Sequence, residues 1–150
     1  MPHPQTILAL DGGGTHTRIA LIARDARVLA QTTGPGCNPY DRPEWADNLR
    51  TILCALPHTG LRAAVLGMAG YDGARASSVT QKEVAHAALG PDCVLELEND
   101  VQTAHRAAFA GGAGVFVLAG TGSVAQALSL IHIRRCRRRG QPWSLRPRSC

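Results

Sequence analysis

The stretch TILALDGGGTHTRIALI, residues 6–22, places three consecutive glycines between two apolar segments. Thr6–Leu10 is apolar and compatible with a β-strand, and the strand pattern resumes over Thr17–Ile22. Three glycines in a row suit the interior of neither a strand nor a helix. The stretch therefore predicts two strands joined by a tight glycine turn.

The rest of the chain predicts one more meander strand, followed by alternating helices and strands. Arg27–Gln31 is predicted as the third strand, which makes an antiparallel meander. The later elements are helices over 43–56, 79–89 and 99–109 and strands over 62–68, 93–97, 115–118 and 124–128. Ser77 and Ser78 are expected to cap the second helix, and Asn99 and Asp100 the third. This order predicts an α/β domain.

The basic residues are concentrated at the end of the chain. The formal net charge is +5, yet Ser129–Cys150 holds seven arginines and no acidic residue, and all 11 acidic residues lie in Met1–Leu128. A slightly acidic body gives no indication of nucleic acid as a partner. We therefore expect a domain over residues 1–128 and an Arg-rich tail over 129–150, which is either foreign sequence from a frameshift or misassembly, or a disordered segment. A nucleic-acid-binding tail is the alternative.

Cysteine usage and hydropathy point to the cytoplasm. The five cysteines are widely spaced and include no Cys-x-x-Cys pair, so they indicate neither a disulfide framework nor a zinc knuckle. No apolar run reaches the length of a membrane span, and Met1–Thr6 lacks the features of a secretory signal. The sequence predicts a cytoplasmic protein without a membrane partner.

The histidines give no metal-ligand pattern. His16 lies in the glycine turn, but no second His or Cys stands at ligand spacing from it. His16 is predicted to be a loop donor, and His58, His86 and His105 are predicted to lie at the surface.

The segment Asp11–Thr17 has the composition of a phosphate cradle. Glycines let backbone N–H groups approach an anion closely, and hydroxyl groups add donors. The candidate phosphate-binding residues are Gly12, Gly13, Gly14, Thr15 and Thr17. The segment matches neither the Rossmann fingerprint nor the P-loop pattern. A hairpin turn without a ligand remains the alternative.

A second turn, Gly120–Ser123, repeats this composition between two predicted strands. Its candidate phosphate-binding residues are Gly120, Thr121, Gly122 and Ser123. Two such turns, one of them preceded by the strand-end carboxylate of Asp11, fit a polyphosphate with Mg²⁺, since this metal takes oxygen ligands. Asp11 is therefore the candidate metal-binding residue.

Asp100 has two possible roles. It stands at a strand end before a helix, where an aspartate commonly caps the helix. A kinase also needs a carboxylate beside the attacking hydroxyl to accept its proton. Asp100 can serve as both cap and catalytic base.

These motifs, taken together, carry a family resemblance. The ordered set LDGGGTHT, GPGCNP, LGMAG, END and VLAGTGS resembles the BadF/BadG/BcrA/BcrD ATPase family, and within it most closely the N-acetylglucosamine kinases. The resemblance spans about Thr6–Leu128. It implies the N-terminal lobe of an actin-like, ribonuclease-H-type ATPase, with a mixed sheet of three antiparallel meander strands plus parallel strands and flanking helices.

The resemblance also implies a function. It predicts ATP-dependent phosphorylation of an amino sugar, N-acetylglucosamine or glucosamine, with Mg²⁺, and it allows a homodimer for a full-length chain. Asp100 matches the catalytic base, Asn38 matches a sugar contact, and Gly70 and Asn99 lie beside that site. A turn residue before Pro39 is the alternative for Asn38.

The pattern stops at Leu128, where such a kinase would continue into a second lobe. The chain alone is therefore expected to be an inactive, incomplete lobe. Two other functions stay open. One is an ATPase that activates a redox enzyme through an iron–sulfur cluster, and the other is a sugar-responsive regulator without catalysis.

Overall fold

The computed structural model of the chain describes residues 5–119, 123–128 and 133–138. In chain order the elements are β1 (Thr6–Gly12), β2 (His16–Ala23), β3 (Val28–Pro35), α1 (Trp45–Leu53), β4 (Leu61–Met68), α2 (Ala76–Leu89), β5 (Val94–Asn99), α3 (Asp100–Phe109), β6 (Gly114–Ala119), β7 (Ser123–Leu128) and β8 (Ile133–Arg138). The chain divides into two compact units, Met1–Thr103 and Ala104–Cys150.

The first unit is built on a five-stranded sheet in the order β3-β2-β1-β4-β5. The β1/β2 and β2/β3 pairs are antiparallel, whereas β1/β4 and β4/β5 are parallel. Parallel neighbours need a crossover connection, which α1 and α2 provide. The predicted α/β class is confirmed, with a mixed sheet that combines an antiparallel meander and parallel strands.

One face of this sheet forms the core. Alternate residues of β1 and β2, including Leu8, Leu10, Ile19 and Leu21, are at most 4% exposed. They pack in one cluster with α1, whose buried residues are Leu49, Ile52 and Leu53. Complete burial of each such side chain contributes roughly 1.5–3 kcal/mol. The alternating buried residues of the two strands and the buried side of α1 therefore form this layer of the core.

The start of helix α2 differs from the sequence-based prediction. Helix α2 begins at Ala76, with Arg75 in the capping position, so the prediction of Ser77 and Ser78 as caps is wrong. The Ser78 hydroxyl instead accepts a hydrogen bond from the Asp72 N–H (2.9 Å) and donates one to the Asp72 carbonyl (2.8 Å). It therefore braces the loop before the helix, and the helix starts too early for either serine to cap it.

The predicted capping of α3 is confirmed. The Val101 N–H donates to Asn99 Oδ1 (3.1 Å) and to Asp100 Oδ1 (2.9 Å). The Asn99 N–H donates to Gln102 Oε1 (3.4 Å), which is the half of a capping box that runs from the third helical residue back to the cap. The start of α3 is therefore fixed by three side chains.

The second unit contains a three-stranded antiparallel sheet in the order β6-β7-β8. Strand β8 lies within the segment expected to be foreign or disordered, and its pairing does not decide the origin of that segment. His105 is fully buried, contrary to its predicted surface position. Its Nε2 lies 3.0 Å from the Gly114 carbonyl, and its ring centroid lies 4.7 Å from that of Phe109, one helical turn later.

None of the helices in the described part of the chain combines the length and the apolar character that crossing a bilayer requires.

Candidate active site

The three parallel strands of the first unit end in one row. Gly12 of β1 is in register with Met68 of β4, which is in register with Asn99 of β5. Open α/β sheets bind ligands at the carboxyl ends of their strands. The predicted residues in or directly after these strands, among them Gly70 and Asp100, therefore belong to one edge of the sheet.

The glycine loop, Gly12–Thr17, joins β1 to β2 and lies against the segment Gly36–Arg42. Three consecutive loop carbonyls accept hydrogen bonds from this 36–42 segment. The bonds run from the Cys37 N–H to Gly13 O (3.2 Å), from Arg42 Nε to Gly14 O (3.1 Å) and from the Gly36 N–H to Thr15 O (2.9 Å). These three hydrogen bonds anchor the loop to the 36–42 segment through its carbonyl groups.

The N–H groups of the loop are used differently. The Gly13 N–H donates to the His16 carbonyl (3.0 Å) within the turn. The N–H groups of Gly14 and Thr15 donate to no acceptor in the described part of the chain. Successive backbone N–H groups without a protein acceptor form a typical anion-binding concavity. Gly14 and Thr15 are thus the backbone donors that the loop offers.

Close contact between the two segments requires glycine at position 36. A Cβ atom on Gly36 would lie 2.0 Å from the Gly14 carbonyl oxygen. No side chain fits in that space, since real Cβ atoms do not approach a backbone atom so closely. The glycine therefore allows the 36–42 segment to pack directly on the loop.

Thr17 does not face the loop surface. Its side chain is fully buried, and its hydroxyl donates to the Pro35 carbonyl (2.9 Å) and lies 3.2 Å from Cys37 Sγ. Burial raises the pKa of the Cys37 thiol, which favours its neutral form. The Thr17 hydroxyl is therefore already hydrogen-bonded beneath the loop, and the role of Thr17 as a phosphate donor stays a prediction.

Asp11 lies on the opposite face of β1 from the core. It is exposed, and its carboxylate makes no hydrogen bond or ion pair with another described residue. It stands in register with Arg18 of β2 and Gly67 of β4. An open groove of about 690 Å³ on this face reaches Asp11 and Thr103. The carboxylate is therefore available to an external ligand.

Asn38 and Gly70, the two predicted sugar-site residues, lie side by side. A Cβ atom on Gly70 would lie 2.7 Å from Asn38 Oδ1, and Gly70 has a positive φ of 76° that favours glycine. The Asn38 amide also accepts from the Tyr40 N–H (3.2 Å) and donates to the Asp41 carboxylate. The orientation of this amide is therefore set by its own turn.

Tyr40 lies beside the same site, and hydrogen bonds to residues at the start of α2 hold its side chain. Its ring is half exposed, and its hydroxyl bonds to Ser77 Oγ (3.1 Å) and accepts from Arg75 (3.0 Å). The hydrogen bond with Ser77 and then that from Arg75 lower the pKa of Tyr40. An aromatic ring held in this way presents a defined surface beside Asn38.

The β5–α3 junction completes this edge. Asn99 is buried, and its Nδ2 donates to the Tyr71 carbonyl (3.1 Å), which directly follows Gly70. Asp100 is half buried, and its Oδ1 accepts from the Val101 N–H. Its Oδ2 makes no hydrogen bond with a described residue. Asp100 therefore keeps one carboxylate oxygen for other chemistry while it caps α3.

The second predicted phosphate turn is only partly described. Gly120, Thr121 and Gly122 lie outside the described residues, and Ser123 begins β7. The role of these four residues stays a prediction.

Sequence reasoning missed three residues of this site. Asp41 and Arg42 contact the glycine loop, and Tyr40 stands against Gly70. All three residues directly follow Asn38–Pro39, a pair whose composition indicates a turn. Their contacts bridge more than 25 positions of sequence, so no spacing pattern could have revealed them.

Comparison with known proteins places this fold among sugar kinases. No protein-family model and no curated protein matches the chain. A solved candidate N-acetylglucosamine kinase from Chromobacterium violaceum is 27% identical, with a TM-score of 0.71, over 93% of this chain and 50% of its own. A second, from Porphyromonas gingivalis, is 28% identical, with a TM-score of 0.71, over 86% of this chain and 46% of its own.

A more distant match shows the fold alone. A glucokinase of the ROK family from Streptomyces griseus, solved with glucose and AMPPNP, is 19% identical, with a TM-score of 0.60 over 88% of this chain and 47% of its own. The chain spans about half the length of the structures it matches. Its fold is the actin-like ATPase fold of sugar kinases, as predicted.

Proposed function

We propose that this chain is part of an ATP-dependent kinase for an amino sugar, N-acetylglucosamine or glucosamine, of the BadF/BadG/BcrA/BcrD type. One observation carries the proposal. The loop with acceptor-free N–H groups, Gly70 and the carboxylate of Asp100 follow the ends of the three parallel strands β1, β4 and β5, and Asn38 lies beside Gly70. The two more similar structures, named as candidate N-acetylglucosamine kinases, support the choice of sugar.

The glycine loop fits a phosphate group of ATP. Its free donors, the N–H groups of Gly14 and Thr15, face no protein acceptor among the described residues. Asp11 fits Mg²⁺, because its exposed carboxylate supplies oxygen ligands without a competing protein cation within ion-pair distance in the described residues. When bound, Mg²⁺ would neutralise phosphate charge.

Asp100 would accept the proton of the acceptor hydroxyl. The hydroxyl oxygen forms a bond to the γ-phosphorus of ATP, the bond between that phosphorus and the β–γ bridging oxygen breaks, and ADP leaves. The hydroxyl proton passes to the carboxylate. Its anchored Oδ1 would keep the other oxygen in place for this transfer. Asn38, whose amide is oriented by Tyr40 and Asp41, would bind the sugar.

The test is a panel of sugars with coupled detection of ADP, on a protein that joins this chain to a complete second lobe. We expect turnover with N-acetylglucosamine or glucosamine to exceed turnover with glucose. Equal rates for all sugars would contradict the amino-sugar specificity. Absence of sugar-stimulated turnover, with an iron–sulfur spectrum after anaerobic reconstitution, would favour the activator, and sugar binding without turnover would favour the regulator.

The 150-residue chain by itself is expected to show no measurable kinase activity. Phosphoryl transfer requires closure around the nucleotide and exclusion of water, which one lobe does not provide. Removal of residues 129–150 should not restore activity. Turnover by this chain at the rate of a complete sugar kinase would contradict the expectation that one lobe is insufficient.

A further inference from the structure

The glycine loop presents its N–H groups because its carbonyls are held. In a trans peptide the C=O of one residue and the N–H of the next point in opposite directions, and no peptide bond in the described chain is cis. The Gly13 carbonyl is bound by Cys37 and the Gly14 carbonyl by Arg42. The N–H groups of Gly14 and Thr15 therefore point away from the groups that hold these carbonyls.

A loop of three glycines does not keep such an orientation by itself. Glycine adopts positive and negative φ about equally well, so its peptide units rotate at little cost. Two of the three bonds that hold the carbonyls come from backbone N–H groups. Arg42 supplies the third through its side chain, which is 36% exposed and lies 3.7 Å from Glu44. The Arg42 bond is the one that a substitution can remove.

The same arginine is tied to the predicted sugar contact. The N–H groups of Asp41 and Arg42 both donate to the Asn38 carbonyl, at 3.2 Å each. The Asn38 side-chain amide donates to the Asp41 carboxylate. One tight turn therefore connects Asn38 to the residue that binds Gly14.

We propose that Arg42 is a positioning residue of this site. Its Nε–H···O=C bond to Gly14 sets the peptide unit that directs the Thr15 N–H towards a phosphate group, and its turn joins the phosphate loop to Asn38. Arg42 itself contacts no substrate. The phosphate ligand rests on the proposed function, whereas the orientation of the peptide does not.

The experiment uses the ¹⁵N-labelled 150-residue chain, with magnesium pyrophosphate as the probe. Arg42→Met reaches as far as the Nε position but has no donor there, and we expect its Kd for the probe to rise about tenfold. Arg42→Lys restores a donor and should stay within about threefold of the parent chain. Arg50→Met is the matched control, because Arg50 is an exposed helix residue paired with Asp47 and should leave the Kd unchanged.

A second readout does not depend on a ligand. Relaxation dispersion of the Thr15 amide should show exchange in Arg42→Met that is absent from the parent chain, Arg42→Lys and Arg50→Met. Unchanged relaxation in Arg42→Met would overturn the proposal, as would an equal Kd for Arg42→Met and the parent. If the parent chain binds no pyrophosphate, the proposed function fails, and Thr15 relaxation alone decides the role of Arg42. Should Arg42→Met fail to fold, Arg42→Leu, which likewise has no side-chain donor, replaces it, with the same expected losses.

Discussion

The glycine loop follows β1 and the α3 junction follows β5, the two strands on either side of β4, yet the loop and the junction use their hydrogen bonds in opposite ways. In the loop, three carbonyls are bound, while two N–H groups and the Asp11 carboxylate have no acceptor or partner among the described residues. In the junction, Asn99 and Asp100 both accept from Val101. The loop leaves two backbone donors and a carboxylate unused, whereas the junction holds a carboxylate in a fixed place.

The largest expected effect is at Asp100, which is proposed both to cap α3 and to act as the catalytic base. Asp100→Asn keeps an oxygen for the Val101 N–H but removes the base. In a protein with a complete second lobe we expect turnover to fall by about two or more orders of magnitude, with binding of ATP and sugar retained. Steady-state rates and separate binding measurements check this result.

Comparison of Asp100→Ala with Asp100→Asn separates the capping role of Asp100 from its role as a base. Asp100→Ala is the variant that loses both, so it should lose as much turnover as Asp100→Asn and in addition about 1 kcal/mol of unfolding free energy. Unchanged turnover in Asp100→Asn would remove Asp100 from the chemistry. Equal stability of the two variants would show that the cap contributes nothing.

The next effect concerns the packing of the loop. Gly36→Ala places a Cβ on the Gly14 carbonyl oxygen, so the 36–42 segment must move away, at a cost of roughly 1–3 kcal/mol in unfolding free energy. Gly73→Ala is the control, because the nearest atom to its Cβ is the Tyr71 hydroxyl at 4.0 Å. Denaturant unfolding of both variants measures this cost. Similar unfolding midpoints for Gly36→Ala and Gly73→Ala would contradict the close packing of the 36–42 segment on the loop.

A smaller effect is expected at Asp11, the partner-free carboxylate of the loop side. Asp11→Ala should weaken Mg²⁺-dependent nucleotide binding by about tenfold, because a charged oxygen ligand is lost. Binding without Mg²⁺ should change little. Asp92→Ala, at an exposed turn before β5, is the matched control. Equal affinities of Asp11→Ala and the parent protein, measured by calorimetry with Mg²⁺, would remove Asp11 from the metal site.

The smallest effect tests the capping box of the junction. Gln102→Ala removes the acceptor of the Asn99 N–H and should lower the unfolding free energy by about 0.5–1 kcal/mol. Lys82→Ala, on the exposed surface of α2, should change it by less than about 0.5 kcal/mol. Thermal unfolding of the two variants gives the comparison, and a greater loss for Lys82→Ala would contradict the capping box.

Local sequence was sufficient for the first strands and for the start of α3. The apolar alternation of Thr6–Leu10 and the glycines after it predicted β1 and its turn, because burial on one sheet face imposes a period of two. The Asn99–Asp100 pair predicted the start of α3, since short polar side chains cap the nearest N–H groups. The ordered motifs suggested Asn38 and Gly70, which the structure places in contact.

Tertiary structure alone decided which groups of those motifs remain available to a ligand. Thr17 resembles Thr15 in sequence, yet its hydroxyl is spent on Pro35, and Arg42, which no motif indicated, holds Gly14 from 28 positions away. Sequence determines which donors and acceptors the chain possesses and which neighbours they can reach along it. Which of them are satisfied within the fold depends on segments that meet only when the sheet forms, because hydrogen bonds between distant segments follow from packing and leave no periodicity in the sequence.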